Sequence, residues 1–205
     1  MIFCCPDGRK IRIETELLGL HNIENIVGAA AFLLEKGALS PAQIQAGLLA
    51  FRGVARRLDK KTRTSRVPIY EGFGSSYEKA RSAIEAINLH FPKRPAVVIF
   101  EPHTFSWRNH GALSWYDTVF EGVEQVLIMA PPTHGSDQHA QLTQDQIVAR
   151  VRAAGIQAQG VRGGSDVLET LGDRLTGDEV VLLLSSGPLD GLANDLPTQF
   201  DARFS

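Results

Sequence analysis

Three nearly continuous apolar runs dominate the second half of the chain. They read AVVIF over 96–100, QVLIM over 125–129 and VVLLL over 180–184. Strands without polar alternation are covered on both faces, which is typical of a parallel sheet flanked by helices. From Val67 onward, segments with helical periodicity alternate with strand-like segments. The pattern therefore predicts an α/β fold with a doubly wound, mostly parallel sheet.

Shorter elements complete this predicted domain. We expect two further strands and four helices: Val67–Tyr70, Ala158–Val161, Tyr77–Leu89, Leu113–Phe120, Thr143–Ala154 and Ser165–Leu171. Thr143 opens its helix with a capping box, and Ser165 is expected to cap the next helix. Ligands of such sheets bind beyond the carboxyl ends of the strands. The loops expected there are Glu71–Ser76, Glu101–His110, Ala130–His139 and Ser185–Leu189.

The first fifty residues follow a different pattern. The turn signal Asp7-Gly8 and the alternation that follows it predict a short β segment. A broad apolar face at helical spacing predicts a helix over Asn22–Lys36, with Gly37 as its stop. Ser40-Pro41-Ala42-Gln43 combines an N-cap serine, a proline at the first helical position and a capping-box glutamine. We therefore expect a second helix that ends near Phe51.

A basic, apolar-poor stretch follows from Arg56 to Arg66 and is predicted to be a linker or hinge. The plainer alternative is a solvated loop, which is what most charge runs are. The change in character at this point divides the chain into a helical N-terminal part and a larger α/β part.

Composition excludes several classes of protein. The 205 residues carry a formal net charge of −2, whereas non-specific nucleic-acid binding needs a concentrated basic face. No apolar run approaches the roughly 20 residues of a membrane span, and no secretory signal pattern is present. The two cysteines, Cys4 and Cys5, are adjacent and form a poor start for a disulfide framework. We expect no nucleic-acid or membrane partner and a cytoplasmic location.

Two motifs near the N-terminus carry the most specific signal. His21-Asn22-Ile23-Glu24-Asn25 opens the first helix, and Phe51-Arg52-Gly53-Val54-Ala55-Arg56-Arg57-Leu58 follows the second. Asn22 and Asn25 share one face of a helix, where two carboxamides can bind a purine edge; alone, the motif would be a capping arrangement. The pair resembles the interdomain junction of the Mur ligases. This resemblance implies that Asn22 and Asn25 contact adenine and that Arg56 helps to hold the nucleotide.

The same resemblance implies a domain division and a third motif. Residues 1–52 would be the helical end of the central ATP-binding domain, and residues 53–205 a Rossmann-like, acceptor-binding C-terminal domain. Tyr70-Glu71-Gly72-Phe73-Gly74-Ser75-Ser76 stands where the family has a Tyr-Asp-Asp-Tyr/Phe-Gly/Ala-His-His loop. Glu71 would bind the nucleotide ribose. Glycine replaces the second aspartate, and Ser75 and Ser76 replace the histidines, with an implied role in acceptor binding.

Phe100-Glu101-Pro102-His103 resembles the FQPH loop of the alanine-adding ligase and the LEPR loop of the murein peptide ligase. His103 would therefore bind the acceptor. The arginines of the alanine-adding enzyme fall at Thr104 and Trp107. Arg108 is the neighbouring guanidinium that could bind the acceptor carboxylate in bidentate fashion. The loops at Pro131–His134 and Ser185–Pro188 look closer to the murein peptide ligase.

Two other chemistries compete with this hypothesis. The run His134-Gly135-Ser136-Asp137-Gln138-His139 could ligate zinc, but its spacing matches no established ligand pattern, so a polar loop is favoured and no metal site is expected. Ser75 and Ser76 could suggest a serine nucleophile, but no G-x-S-x-G elbow surrounds them.

No G-x-x-x-x-G-K-[ST] phosphate-binding loop occurs in the 205 residues. The resemblance therefore implies the C-terminal part of a longer ATP-dependent ligase that joins an amino acid or peptide to UDP-N-acetylmuramic acid in peptidoglycan synthesis or recycling. ATP and Mg²⁺ would serve the full-length enzyme, whose N-terminal and central domains would be partners. We expect this chain alone to bind neither tightly and to be inactive. A degenerate non-catalytic nucleotide- or peptide-binding module, and a ligase of the same fold acting on a polyglutamate or folate, remain alternatives.

Overall fold

The computed structural model describes residues 1–5, 8–132 and 140–205. It divides into two compact units, an N-terminal unit of residues 1–54 and a C-terminal unit of residues 55–205. Each unit has a core of its own. In the described part of the chain, no helix is both long and apolar enough to cross a membrane.

The N-terminal unit contains a two-stranded antiparallel sheet and two helices. The elements are β1 (Ile2–Cys4), β2 (Lys10–Arg12), α1 (Leu20–Glu35) and α2 (Pro41–Ala50). The predicted β segment and both helices are confirmed. Ser40 and Gln43 form the expected capping box, and Gly37 takes a positive φ of 63° after α1, as a stop signal requires. Asp7 of the predicted turn lies outside the described residues. The core is formed by buried side chains of β1, α1 and α2 and of residues that directly follow β1 and β2: Phe3, Cys5, Ile13, Ile26, Ala30 and Ile44.

The C-terminal unit is built on a six-stranded sheet with the strand order β3-β4-β8-β5-β6-β7. The strands are β3 (Arg57–Lys60), β4 (Ile69–Gly72), β5 (Ala96–Phe100), β6 (Gln125–Met129), β7 (Gln157–Val161) and β8 (Val180–Leu184). Only β3 is antiparallel to its neighbour; all the other described pairs are parallel. The predicted mostly parallel, Rossmann-like α/β fold is confirmed.

Helices connect the parallel strands, as parallel pairing requires. The connecting helices are α3 (Tyr77–His90), α4 (Phe105–Arg108), α5 (Gln144–Ala153) and α6 (Gly164–Arg174). A further helix, α7 (Leu192–Arg203), follows the last strand. Every residue of β5 and β8 is buried, which explains why their sequences lack polar alternation. One part of the core joins these strands to α6 and α7 through Val97, Ile99, Val167, Leu171, Val181, Leu183, Leu196 and Phe200.

Part of the basic stretch predicted as a linker or loop is a strand. The edge strand β3 pairs with β4 through Arg57↔Gly72 and Lys60↔Tyr70. An edge strand keeps one side open to solvent, so it tolerates charged side chains. Because of these charges, the strand does not show the hydrophobic pattern by which strands are predicted. The strand predicted at Val67–Tyr70 begins two residues later, at Ile69.

Two helix predictions also need correction, and one helix was not predicted. The helix expected over 113–120 is a 3-10 helix over His110–Asp117. Ser165 does not cap α6, because the helix begins at Gly164, whose N–H donates to Oδ2 of Asp190 at 2.7 Å. The helix α7 was not predicted, because Pro197 interrupts its sequence and suggests a break.

The zinc interpretation of 134–139 falls within residues 133–139, which lie outside the described part of the chain. Within residues 1–5, 8–132 and 140–205, no group of three or more histidine, cysteine, aspartate or glutamate side chains is arranged to hold a metal ion.

Candidate functional site

The carboxyl ends of β4, β8 and β5 lie side by side, because these three strands are neighbours in the sheet and run parallel. The loops that leave them cover residues 73–76, 185–188 and 101–104. Three of the four loops expected to form the site therefore start from adjacent strands. The fourth, which follows β6, is only partly described.

Glu71 lies at the end of β4 and is 6% exposed. Its Oε1 is 3.0 Å from Nε of Arg56, and its Oε2 is 3.3 Å from Nζ of Lys61. A buried carboxylate needs such partners, because burial without them would disfavour its charge strongly. Glu71, predicted to bind ribose, thus has a cation beside each of its carboxylate oxygens.

Arg56 connects several parts of this edge of the sheet. Its Nη2 donates to the carbonyl of Gly187 at 2.7 Å and to the carbonyl of Ser185 at 3.3 Å. Its guanidinium carbon lies 5.1 Å from the centroid of the Phe73 ring, within cation–π range. The backbone of Arg56 has a φ of 63°, a region that residues other than glycine rarely occupy. These contacts on the side chain fix a residue whose backbone is otherwise unfavourable.

Ser75 and Ser76, predicted to bind the acceptor, stand at the start of α3. Ser76 is the N-cap, and its Oγ accepts from the N–H of Lys79 at 3.5 Å. Oγ of Ser75 accepts from Nζ of Lys79 at 3.0 Å, and that ammonium lies 5.6 Å from the Phe73 ring. Backbone N–H donation and the Ser76 hydroxyl lower the pKa of the exposed Glu78 in the same turn. The loop thus presents hydroxyls and an ammonium beside a ring that is 37% exposed.

The segment after β5 holds this loop in place. The hydroxyl of Thr104 donates to the carbonyl of Ser75 at 3.0 Å, and Nε1 of Trp107 donates to the carbonyl of Gly74 at 2.8 Å. Thr104 and Trp107 are the positions at which the alanine-adding ligase is expected to have arginines. In this chain, both side chains bind the backbone of the neighbouring loop.

Arg108, predicted to grip an acceptor carboxylate, is only 4% exposed. Its Nη1 donates to the carbonyl of Pro132 at 2.6 Å and to Oε1 of Gln141 at 3.1 Å. The backbone of Arg108 also accepts from the N–H of Leu142 at 2.6 Å. The guanidinium therefore supports the chain on both sides of residues 133–139, and acceptor binding by Arg108 stays a prediction.

Glu101 and His103 occupy the loop after β5. Glu101 is 8% exposed, and its Oε2 accepts from Oγ of Ser185 at 2.5 Å and from the N–H of Leu189 at 3.3 Å. Ser185 Oγ in turn accepts from the N–H of Gly187 at 2.7 Å. Nδ1 of His103 lies 3.5 Å from Oε1 of Glu101. The loops after β5 and β8 are thereby joined through one carboxylate.

These contacts form one connected network in the C-terminal unit. Direct hydrogen bonds link five residues in this order: Glu71, Arg56, Gly187, Ser185 and Glu101. Four further residues of this edge were given no role in the sequence analysis, although two of them lie in loops expected to form the site: Lys61, Lys79, Phe73 and Ser185. The contacts of Ser185 with Arg56 and Glu101 join positions 129 and 84 residues apart, so no local pattern indicates them. Alternating carboxylates and cations suit a charged or zwitterionic ligand.

Asn22 and Asn25 lie in the N-terminal unit, on α1. Nδ2 of Asn22 donates to the carbonyl of Leu18 at 2.7 Å, and the residue is half-buried. Asn25 is exposed. The carboxamide of Asn22 therefore also ties the first turn of α1 to the residues before it. Adenine recognition by this pair stays a prediction.

Comparison with known proteins identifies the family. No protein-family model matches the chain. A UDP-N-acetylmuramate–L-alanine ligase from Roseiflexus sp. (strain RS-1) is 31% identical over 175 residues, which cover 83% of this chain and 36% of that protein. The chain belongs to the Mur ligase family. It corresponds to the C-terminal portion of these ligases and spans 36–40% of the length of the first curated relatives that it matches.

Solved Mur ligases share the fold described above. The UDP-N-acetylmuramate–alanine ligase from Thermotoga maritima superposes with a TM-score of 0.72 at 16% identity, covering 95% of this chain and 40% of that one. The murein peptide ligase from Psychrobacter arcticus 273-4 gives a TM-score of 0.63 at 17% identity, covering 94% and 39% of the two chains. At these identities the likeness concerns the fold alone.

Proposed function

We propose that this chain is the acceptor-binding part of an ATP-dependent ligase that joins an amino acid or a peptide to UDP-N-acetylmuramic acid in peptidoglycan synthesis or recycling. One observation in the structure carries the proposal. The loops after β4, β5 and β8 meet around the connected carboxylates and cations of Arg56, Glu71 and Glu101. An amino-acid or peptide acceptor brings an ammonium and a carboxylate, which such a network can bind in a fixed orientation.

The assignment of individual residues is part of this proposal. Ser75, Ser76, His103 and Arg108 would serve the acceptor. Arg56 and Glu71 would hold the nucleotide, and Asn22 and Asn25 would contact adenine. Homologous ligases bind ATP, and we propose that Mg²⁺ accompanies it in the full-length enzyme. We further propose a cytoplasmic reaction that requires an N-terminal and a central ATP-binding domain.

Acceptor binding can be tested on the chain itself by NMR. Titrating the ¹⁵N-labelled chain with L-alanine and with a cell-wall tripeptide should shift backbone signals within residues 71–76, 101–108 and 185–189. Affinity is expected to be weak, roughly millimolar, because few contacts anchor so small a ligand. The variant His103→Gln should reduce these shifts. His90→Gln, which changes an exposed histidine at the end of α3, is the matched control. Shifts that are absent, or that lie away from these loops, would contradict the proposal.

A non-catalytic binding module is the second candidate, and the internal pairing of Glu71 favours it. A carboxylate that already faces Arg56 and Lys61 is less available to ribose hydroxyls than an open one. The deciding experiment is a chimera that joins the N-terminal and central domains of the Roseiflexus alanine ligase to this chain. A folded chimera that ligates an amino acid or peptide supports the ligase. A folded chimera that binds ATP but ligates no acceptor supports the module.

A further inference from the structure

The contact between Glu101 and His103 defines which nitrogen of the imidazole faces the protein. Nδ1 of His103 is a buried atom, 3.5 Å from Oε1 of Glu101, whereas the side chain as a whole is 26% exposed. The exposed surface of the His103 side chain therefore belongs to atoms other than Nδ1. The separation is within ion-pair range and longer than a hydrogen bond. Catalytic hydrogen bonds are often long before the ligand binds.

Gly187 encloses the same edge of the ring. A Cβ at this position would lie 2.3 Å from Nδ1 of His103 and 2.5 Å from Oε2 of Glu101. No side chain can occupy that space while the imidazole and the carboxylate stay where they are. The backbone of Gly187 is itself fixed, because its N–H donates to Ser185 and its carbonyl accepts from Arg56. The position of the ring is thus set by Glu101 on one side and by Gly187 on another.

The chemistry of the two groups selects one form of the imidazole. An ionised carboxylate only accepts hydrogen bonds, and a neutral imidazole carries its proton on one nitrogen and a lone pair on the other. Since Nδ1 faces Glu101, a proton on Nδ1 is the compatible arrangement. The lone pair then resides on Nε2. Carboxylates orient histidine in the same way where a histidine must act through its second nitrogen.

We propose that Glu101 is a positioning residue that holds His103 in its Nδ1–H form, so that Nε2 accepts a hydrogen bond from the amino group of the acceptor. The inference rests on the proposed function, because that function supplies the amine. An imidazole with its proton on Nε2 would present a donor to an ammonium, which is also a donor. The tautomer therefore decides whether His103 attracts the acceptor amine or opposes it.

The tautomer can be read directly from ¹⁵N chemical shifts. A histidine-¹⁵N-labelled chain is examined by long-range ¹H–¹⁵N correlation at about pH 9, above the ordinary imidazole pKa of about 6.5. His103→Gln assigns the signals. The wild-type chain should show His103 protonated on Nδ1, and Glu101→Met should remove that preference. Glu101→Gln should retain it, because the carboxamide oxygen can still accept. Glu179→Met removes another buried carboxylate, which precedes β8, and should leave His103 unchanged.

A second measurement links the tautomer to the acceptor. At neutral pH, titration with L-alanine or the tripeptide should perturb the His103 ring signals. Glu101→Met should weaken binding roughly tenfold, about the effect of one hydrogen bond to a charged group, whereas Glu179→Met should not. A wild-type His103 protonated on Nε2, or a tautomer that is unchanged in Glu101→Met, would overturn the role of Glu101. If the Nδ1–H form is present but no acceptor binds, the acceptor assignment and the proposed function are overturned instead. The wild-type tautomer decides the first point even if Glu101→Met does not fold.

Discussion

The substitution Gly187→Ala tests how tightly the loops after β5 and β8 are packed together. The added methyl would lie 2.3 Å from Nδ1 of His103, 2.5 Å from Oε2 of Glu101 and 2.6 Å from Cγ of His103. Ordinary contacts between nonbonded heavy atoms are about 3.5–4.0 Å, so these groups must separate by roughly 1 Å. Both neighbours are held by other contacts, so the loop cannot adjust without loss.

The expected cost follows from that displacement. Overpacking of a well-packed site costs about 1–3 kcal/mol. Losing one of the bonds that Gly187 makes to Ser185 or Arg56 would add about 1 kcal/mol. We therefore expect Gly187→Ala to lower the free energy of unfolding of the C-terminal unit by about 2–4 kcal/mol. The substitution should also displace the His103 ring signals in NMR spectra.

Gly172→Ala is the matched control, because it makes the same chemical change in the same unit. Gly172 lies inside α6, and a Cβ there meets only Nη1 of Arg203, at an ordinary 3.6 Å. Alanine is preferred over glycine in helices, so the control should gain about 0.5–1 kcal/mol. The two substitutions are thus expected to have opposite signs.

Urea unfolding followed by tryptophan fluorescence measures both effects. The only two tryptophans, Trp107 and Trp115, lie in the C-terminal unit, so fluorescence reports that unit. Trp107 is fully buried and should respond strongly to unfolding. A Gly187→Ala chain with an unchanged urea midpoint, or with one raised as in Gly172→Ala, would refute the close packing of Gly187 against His103 and Glu101.

Three further predictions concern stability and activity. Burial raises the pKa of Glu179, but hydrogen-bond donation from Thr176 and Gly177 outweighs this effect and holds the pKa in the folded chain below the ordinary value of a glutamate. The stabilisation from this carboxylate is complete above the ordinary pKa and is lost as the pH falls through the lowered one. Urea midpoints measured between pH 7 and pH 3 should therefore fall less steeply in Glu179→Gln. Ser40→Ala removes the N-cap of α2 and should cost about 1 kcal/mol, seen as faster amide exchange in α2 and not in α3. The purified chain should release no phosphate from ATP when given UDP-N-acetylmuramic acid with L-alanine or the tripeptide. Phosphate release would refute the expectation that ligation needs a phosphate-binding loop supplied by another domain.

The interior strands could be predicted from the sequence alone. Residues 96–100, 125–129 and 180–184 were expected as strands, and β5, β6 and β8 have the same bounds. Burial on both faces demands uninterrupted apolar side chains, and this demand leaves a pattern that is local in sequence. The parallel arrangement followed from the same observation.

The edge strand β3 and the last helix could not be predicted in this way. β3 is held by its hydrogen bonds to β4, which leave no mark on its charged sequence RLDK. α7 contains Pro197, yet Leu192, Leu196 and Phe200 are buried in the core. Packing of this apolar face stabilises the helix, and tertiary burial of this kind outweighs intrinsic propensity.

The candidate site was only partly predictable for a related reason. Glu71 and His103 could be identified because each follows a recognisable strand. No sequence pattern, however, pairs Glu71 with Arg56 and Lys61, or joins the loop after β5 to the loop after β8. Lys61 and Ser185 have no motif that links them to these residues, and the hydrogen bond of Ser185 to Glu101 spans 84 positions. Arg108 was expected to face a ligand because guanidinium groups suit carboxylates. Its bonds to Pro132 and Gln141 depend on how the chain returns to it after β6.

Arg56 shows how the two proposed subsites are coupled. A guanidinium presents five donors in a rigid fork, so this side chain can contact Glu71 through Nε and Gly187 through Nη2 at the same time. A lysine could not reproduce both contacts. Any nucleotide group that recruits Arg56 must share it with Glu71 or draw it away from Gly187. The N–H of Gly187 donates to the hydroxyl of Ser185, which in turn donates to Glu101. A change at the proposed nucleotide contact would therefore reach the carboxylate that orients His103.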